Sequence, residues 1–234
     1  MFGTIWHDFL YQPLFNVLIW FYNNWANQNF GWAVVYLTIA IRLVLLPFTV
    51  VTEKSRLKNE ELYEDVKRVD NEFKKDQILK KEEIRKILKK RKVHPWAKSI
   101  VLGAQLLALI LLYQVFLRGI TGEKIAKILY LGVDFPGKIN TIFFGFDLAA
   151  TRDYLWSGAV AIWLGLEIYL GLRKRKAQMA DLVYFIFFPA FIFIALWWLP
   201  MVKSLFILTS MSFSVILHQF MKLLYLGSKI KKSL

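Results

Sequence analysis

Long apolar runs separated by polar stretches are the main feature of this sequence, and their lengths predict five membrane-spanning helices. The runs lie at residues 30–51, 97–117, 154–171, 181–199 and 203–221. Each is close to the ~20 residues that an α-helix needs to cross the hydrocarbon layer. Because lipid offers the backbone no hydrogen-bond partners, these segments are expected to be helical. The pattern predicts an all-α membrane protein, a five-transmembrane-helix bundle with residues 97–221 forming transmembrane helices two to five.

Residues 1–29, before the first run, place apolar side chains at helical spacing between polar ones. The apolar positions include Phe9, Leu14, Val17, Leu18 and Phe21. This spacing predicts an amphipathic helix on the outer surface of the membrane. A sixth, poorly apolar span is the alternative.

Residues 52–96 are highly charged but keep a thin apolar stripe. The part from 53 to 92 holds 15 basic and 10 acidic side chains. An apolar residue nonetheless recurs every three or four positions, at Leu62, Val66, Val69 and Phe73. This predicts a helical hairpin of two antiparallel helices with a narrow apolar seam, ending where Pro95 stops the second helix.

The basic residues are concentrated in one set of the predicted loops. The chain has 234 residues, 57% of them hydrophobic, and a formal net charge of +14. The segments 52–96, 172–180 and 222–234, together with Lys98, carry 24 of the 31 lysines and arginines. Since Lys and Arg are enriched in cytoplasmic loops, the hairpin and a basic tail at 222–234 are predicted to be cytoplasmic, with the N-terminus outside.

The residue content gives little support to an enzyme. There is no cysteine, and the three histidines are too far apart in sequence to suggest a metal site. Neither a glycine-rich phosphate loop nor a nucleophile elbow is present. No cofactor or metal is expected. The first residues lack a basic leader, so a chain starting at Met1 is expected to go directly to a bacterial cytoplasmic membrane.

Arg42 is a permanent positive charge inside the first apolar run. A charge at mid-helix costs at least ~2.5–3.5 kcal/mol on insertion scales. Arg42 is therefore expected to face a hydrated cavity or a partner rather than lipid. Glu167, in the third run, is the candidate partner. Two interpretations stay open, an ion pair that locks two helices together or a hydrated cavity whose charge has a function.

Further polar side chains at membrane depth are candidates to line the same cavity. With Arg42 and Glu167, the predicted hydrophilic groove comprises Thr38, Gln105, Tyr113, Ser210 and Ser214. Each serine or threonine alone is weak evidence, because such hydroxyls often bond only to their own helix.

Two basic clusters are candidates for contacts with ribosomal RNA or anionic lipid, with a purely topological role as the alternative. They consist of Arg173, Lys174, Arg175 and Lys176 in one loop, and Lys229, Lys231 and Lys232 in the tail.

Several stretches, taken in order, resemble the YidC/Oxa/Alb family of membrane protein insertases over essentially the whole chain. The stretches are LYQPLFNVLIWFY, VVYLTIAIRLVLLPFT, LKKRKVHPW, QLLALILLYQVF, FFGFDLA and LPMVKSLFILTSMSFSVILHQF. The second contains the single arginine of the first core span, here Arg42, followed by a Leu-Pro pair. The last places Ser210, Phe213 and Ser214 at positions familiar from the family's final span.

The resemblance implies a protein that inserts other membrane proteins and helps them to fold, without ATP. It implies a hydrophilic groove that is closed outside and open to the cytoplasm and to lipid, in which Arg42 attracts acidic residues of a substrate tail. The implied partners are nascent membrane proteins and membrane lipids, with the ribosome and the Sec translocon as further candidates and no DNA. The rival interpretations are a small anion transporter or channel, and a structural subunit of a membrane complex.

Overall fold

The computed structural model describes residues 6–73, 77–89, 95–118, 128–134, 136–137, 139–173 and 179–233. After a π-helical turn at Trp6–Tyr11, the helices are α1 (Gln12–Asn24), α2 (Phe30–Val44), α3 (Leu46–Glu72), α4 (Gln77–Lys89), α5 (Pro95–Arg118), α6 (Tyr154–Leu172), α7 (Met179–Trp197) and α8 (Val202–Ser233). Between α5 and α6, strands β1 (Ile142–Phe143) and β2 (Phe146–Asp147) pair antiparallel. The mostly helical structure agrees with the predicted class.

Two helices are long and apolar enough to cross a membrane, namely Tyr154–Leu172 and the part Val202–Leu224 of α8. The pair Phe30–Val44 and Leu46–Lys58 makes a third if it is counted as one broken span. Two shorter apolar helices lie at Ser99–Ile110 and Asp181–Trp197. The described residues therefore give two or three spans, and the five-span bundle stays a prediction.

The first predicted span, residues 30–51, is not a single helix. Helix α2 ends at Val44, and α3 starts at Leu46 with Pro47 in its first turn. Proline has no backbone N–H, and its ring clashes with the carbonyl four residues earlier, so it interrupts a helix. Helix α3 then runs without a break to Glu72. The predicted boundary between the span and the charged hairpin, at residue 52, thus falls inside one helix.

The chain divides into two compact units, Met1–Arg42 with Leu106–Ser212, and Leu43–Gln105 with Phe213–Leu234. The core of the first unit gathers fully buried residues of α1, α2, the segment after β2 and the start of α8. They include Phe15, Leu18, Ile19, Tyr22, Phe30, Val34, Leu148 and Val202. Helix α1 thus has a buried face and an exposed face, but Val17, predicted on its apolar face, is 41% exposed.

The polar residues of α1 fix its orientation in this unit. The amide of Asn16, which is 3% exposed, donates to the carbonyl of Ile128 at 3.0 Å and accepts from the N–H of Tyr130 at 2.7 Å. Gln12 donates to the same carbonyl at 3.1 Å. These bonds satisfy the carbonyl of Ile128 and the N–H of Tyr130. They turn the face carrying Asn16 inwards, which explains why Val17 points outwards.

A seam of backbone hydrogen bonds joins the start of α6 to the end of α7 and the start of α8. The N–H of Arg152 donates to the carbonyl of Trp197, whose indole N–H donates back to the carbonyl of Arg152. The N–H groups of Met201 and Val202 donate to the carbonyls of Ala150 and Leu148. We call residues 148–152 and 197–202 the helix-end seam.

Helices α6 and α7 pack against each other in antiparallel fashion, as their side-chain order shows. Gly158 faces Phe193, and Gly165 faces Pro189, at distances that leave only van der Waals contact for an added Cβ. Further along, the rings of Tyr169 and Phe185 lie 6.4 Å apart. Small residues on α6 thus admit the bulky side chains of α7.

The second unit contains the charged helices. Helices α3 and α4 contact each other, in agreement with a helix pair, while the antiparallel apolar seam stays a prediction. Leu57 of α3 packs with Leu217 and Met221 of α8. Beside them, Nδ1 of His218 lies 2.8 Å from Oε2 of Glu53. A small apolar cluster and one polar pair therefore join α3 to α8.

We predict that Gly31→Ala lowers the free energy of unfolding by about 1–3 kcal/mol, the usual cost of overpacking. A Cβ at Gly31 would overlap the ring of Phe143, which is itself buried. Thermal unfolding in detergent, followed by tryptophan fluorescence, measures the change. Gly103→Ala is the matched control, because in the described part of the chain no atom beyond its own turn of helix lies within 4 Å of its added Cβ. Equal unfolding temperatures for the two variants would contradict the prediction.

Candidate functional site

Arg42 lies two residues before the end of α2 and is only 6% exposed. Its Nε donates to the hydroxyl of Ser210 at 2.9 Å, and its Nη2 donates to the carbonyl of the same residue at 3.0 Å. A further hydrogen bond joins Nη2 to that hydroxyl. One serine of α8 therefore offers two acceptor atoms to the guanidinium and ties α2 to α8 within the first unit.

The hydroxyl groups next to this pair are used within their own helices. Thr38, one turn before Arg42 and 1% exposed, donates to the carbonyl of Val34 at 2.6 Å. Thr209 donates to the carbonyl of Leu205 at 2.9 Å. A threonine hydroxyl that donates its hydrogen to the carbonyl four residues earlier is already used within its own helix. Thr38 is therefore close to Arg42 in sequence and buried like it, but the hydrogen bonds seen from the guanidinium go to Ser210.

The structure does not bring Glu167 together with Arg42. Glu167 is exposed on α6, and the described residues contain no ion pair between it and Arg42. Helix α6 packs on α7 through Gly158 and Gly165, and Glu167 points away from that contact. An ion pair between Arg42 and Glu167 that locks two helices together is therefore not seen among the described residues, and it stays a prediction.

Tyr113 contacts a residue that the sequence analysis did not place in the site. Nζ of Lys203 lies 3.7 Å from the centroid of the Tyr113 ring, and Lys203 is only 2% exposed. Lys203 is the first residue of the last predicted span, 203–221, and was not among the candidate site residues. Its position among apolar residues, in PMVKSLF, was the available signal of burial.

The remaining predicted residues are less closely tied to Arg42 by the structure. Gln105 and Ser214 are half-buried and belong to the second unit, so their place beside Arg42 stays a prediction. Arg173 is exposed at the end of α6. Residues 174–176 lie outside the described part of the chain. Residues 229, 231 and 232 belong to α8, which continues through the predicted tail, but their side chains lie outside the description.

The family described as 60Kd inner membrane protein matches residues 20–226 of this chain. The match covers most of the sequence and includes Arg42, Tyr113, Lys203 and Ser210. The chain belongs to the YidC/Oxa/Alb family. As a member of this family it is an inner membrane protein with helical spans.

Similar individual proteins carry the name membrane protein insertase YidC. That of Thioalkalivibrio sulfidiphilus is 27% identical over 186 residues, which cover 78% of this chain and 32% of the relative. That of Histophilus somni is 25% identical over 210 residues, covering 83% of this chain and 35% of the relative. That of Clostridium tetani is 29% identical over 98 residues, covering 41% and 44%. This YidC/Oxa/Alb chain thus spans less than half the length of these relatives.

We predict that Ser210→Ala destabilises the protein by about 1–3 kcal/mol, because Arg42 loses a hydroxyl acceptor while it stays buried. Thr209→Ala is the matched control, since its hydroxyl bonds only within α8 in the hydrogen bonds seen here. Thermal unfolding of both variants in detergent compares them. A Ser210→Ala protein that unfolds at the same temperature as Thr209→Ala would contradict a role of this serine in holding Arg42.

Proposed function

We propose that this protein is an insertase that helps other membrane proteins to enter the bilayer and to fold there. Two observations support this. The chain belongs to the YidC/Oxa/Alb family, and its relatives are named membrane protein insertases. The proposed mechanism depends on Arg42, a permanent cation on an apolar helix. Its side chain is 6% exposed and is hydrogen-bonded to Ser210. Charges at membrane depth are costly, and their usual reason is function.

The cation is proposed to act through a hydrophilic groove that opens to the cytoplasm and to lipid and is closed outside. Thr38, Gln105, Tyr113, Glu167 and Ser214 are proposed to line it with Arg42 and Ser210. An acidic residue of a substrate tail is attracted by the guanidinium, and the attraction is stronger in a medium of low dielectric constant than in water. A hydrated groove also shortens the apolar distance that the polar tail must cross.

The apolar segment of the substrate is proposed to leave along the apolar surfaces of α6 and α8. On α6, Ile162, Leu166 and Leu170 are 67%, 57% and 58% exposed. On α8, Ile216 is 69% exposed. Such side chains suit contact with lipid or with another apolar helix. Transfer of about 20 apolar residues into lipid supplies the driving force, so no nucleotide is required.

The proposed arrangement has five spans, an outer amphipathic helix α1, the N-terminus outside and the C-terminus in the cytoplasm. Its support is the uneven distribution of Lys and Arg, which favours the cytoplasm for the charged helices α3 and α4. In this orientation Arg173 and the basic residues around it, with the basic end of α8, face anionic lipid or a ribosome. Nascent chains are the proposed substrates, and the Sec translocon is a further proposed partner.

We predict that Arg42→Ala slows the insertion of a short acidic tail by about tenfold or more, the value of one hydrogen bond to a charged group. The assay uses protein reconstituted in vesicles and scores protease protection of the substrate tail. Arg42→Lys keeps the charge but loses part of the Ser210 contact, and its rate is expected to lie between those of Arg42→Ala and wild type.

The control for this assay is the same substrate with its acidic residues replaced by amides. Its insertion should change little in Arg42→Ala, because the attraction to the cation is then absent in both proteins. Equal losses for the two tails would point to a folding defect and contradict the charge mechanism. Passage of small anions through the same vesicles would favour the transporter interpretation.

A further inference from the structure

Lys203 is a second buried cation in the first unit, at the start of α8. Its side chain is 2% exposed, and its Nζ lies over the ring of Tyr113 at 3.7 Å from the centroid. The face of an aromatic ring attracts an ammonium ion, so this geometry favours the charged form of the lysine. A buried charge of this kind is expected to have acceptors around it.

Among the residues that the structure describes, no ion pair of Lys203 is seen, and the contact seen at its Nζ is the one with the Tyr113 ring. The next residue, Ser204, is 1% exposed, and its hydroxyl is also without a hydrogen-bond partner. Thr38, Thr49 and Thr209 instead bond to the carbonyl four residues earlier. The buried ammonium of Lys203 thus suits an acceptor from another molecule, and Ser204, next in the sequence, is a second buried donor.

Lys203 lies on nearly the same face of α8 as Ser210, the residue that holds Arg42. The two are seven residues apart in the sequence. Seven residues are almost two full helical turns, or roughly 10 Å along the axis. Two cations are therefore stacked along one helix face, with Arg42 at the level of Ser210 and Lys203 nearer the helix start.

We propose that Lys203 is a second binding position for carboxylates of the polypeptide segment that crosses the membrane. This inference rests on the proposed insertase function. In the proposed orientation the start of α8 is at the outer side, so an acidic residue that leaves Arg42 next meets Lys203 on its way outwards. With a second cation at this distance, the carboxylate moves away from water in two short steps between cations rather than in one long step without a counter-charge.

A phosphate of an outer-leaflet lipid is the competing acceptor, and the burial of Lys203 argues against it. Lysines that reach lipid headgroups extend their ammonium to the membrane surface. The Lys203 side chain is instead enclosed, with its ammonium covered by Tyr113. A peptide carboxylate that travels inside the protein reaches this position more directly than a headgroup does.

The test measures insertion rates in vesicles for an acidic tail and its amide counterpart, using the full chain. In Lys203→Met, the ratio of the acidic to the neutral rate is expected to fall about tenfold, the value of one hydrogen bond to a charged group. Lys203→Arg keeps the positive charge and should retain more of the ratio than Lys203→Met. Lys222→Met, which removes an exposed lysine from the same helix, is the matched control and should leave the ratio unchanged.

A second measurement uses the wild-type protein and does not depend on the folding of a variant. A carbodiimide converts a tail carboxylate and a nearby lysine amine into an amide, and mass spectrometry identifies the joined peptides. A link between Lys203 and an aspartate of a tail arrested during insertion is expected. Links of that aspartate to other lysines but never to Lys203 would overturn the proposal.

The outcomes separate this inference from the function on which it rests. A wild-type protein that inserts neither tail contradicts the insertase function itself. A wild-type protein that inserts both, with a ratio unchanged in Lys203→Met, overturns only the role of Lys203. If the effect of Lys203→Met follows the fraction of anionic lipid rather than the charge of the tail, the lysine meets lipid phosphate and the proposal is wrong.

Discussion

The first compact unit depends on how a guanidinium is accommodated between apolar helices. Arg42 cannot lose its charge at any accessible pH, and leaving a buried charge without hydrogen bonds costs several kcal/mol. Ser210 meets this requirement with a hydroxyl and a carbonyl from one residue. Because the serine is in α8 and the arginine in α2, the hydrogen bonds that stabilise the buried charge also hold these two helices together. The same register determines where Lys203 lies relative to Arg42 along α8.

Polar side chains also connect the helices to the irregular segments of this unit. Asn16 joins α1 to Ile128 and Tyr130, and the hydroxyl of Tyr22 accepts the N–H of Asn140. Irregular backbone at or near lipid needs partners for its N–H and C=O groups, since water is scarce there. Polar residues that interrupt the apolar pattern of α1 thus hold the segments around residues 128–130 and 140 in place.

The sequence was sufficient for the helical class and for the positions of the apolar segments, because both follow from composition and run length. It also singled out Arg42 and Ser210 as candidates, though not their contact, since no periodicity relates residues on two distant helices. Glu167 was paired with Arg42 from estimated depth alone, and depth does not determine the direction in which a helix points its side chain. Pro47 was a signal for the helix break before it, but the residues on both sides are apolar, so the run was predicted as one span. Lys203 escaped notice because lysines near the end of a span normally reach water.

The helix-end seam has a mechanical consequence for the apolar helices that start and end there. Its hydrogen bonds tie the start of α6 to the end of α7 and the start of α8, through residues 148–152 and 197–202. Backbone hydrogen bonds set the distances between the atoms that they join, whereas apolar side chains can repack against each other. The helix ends at the seam therefore keep their spacing even where a substitution changes the side-chain packing between these helices.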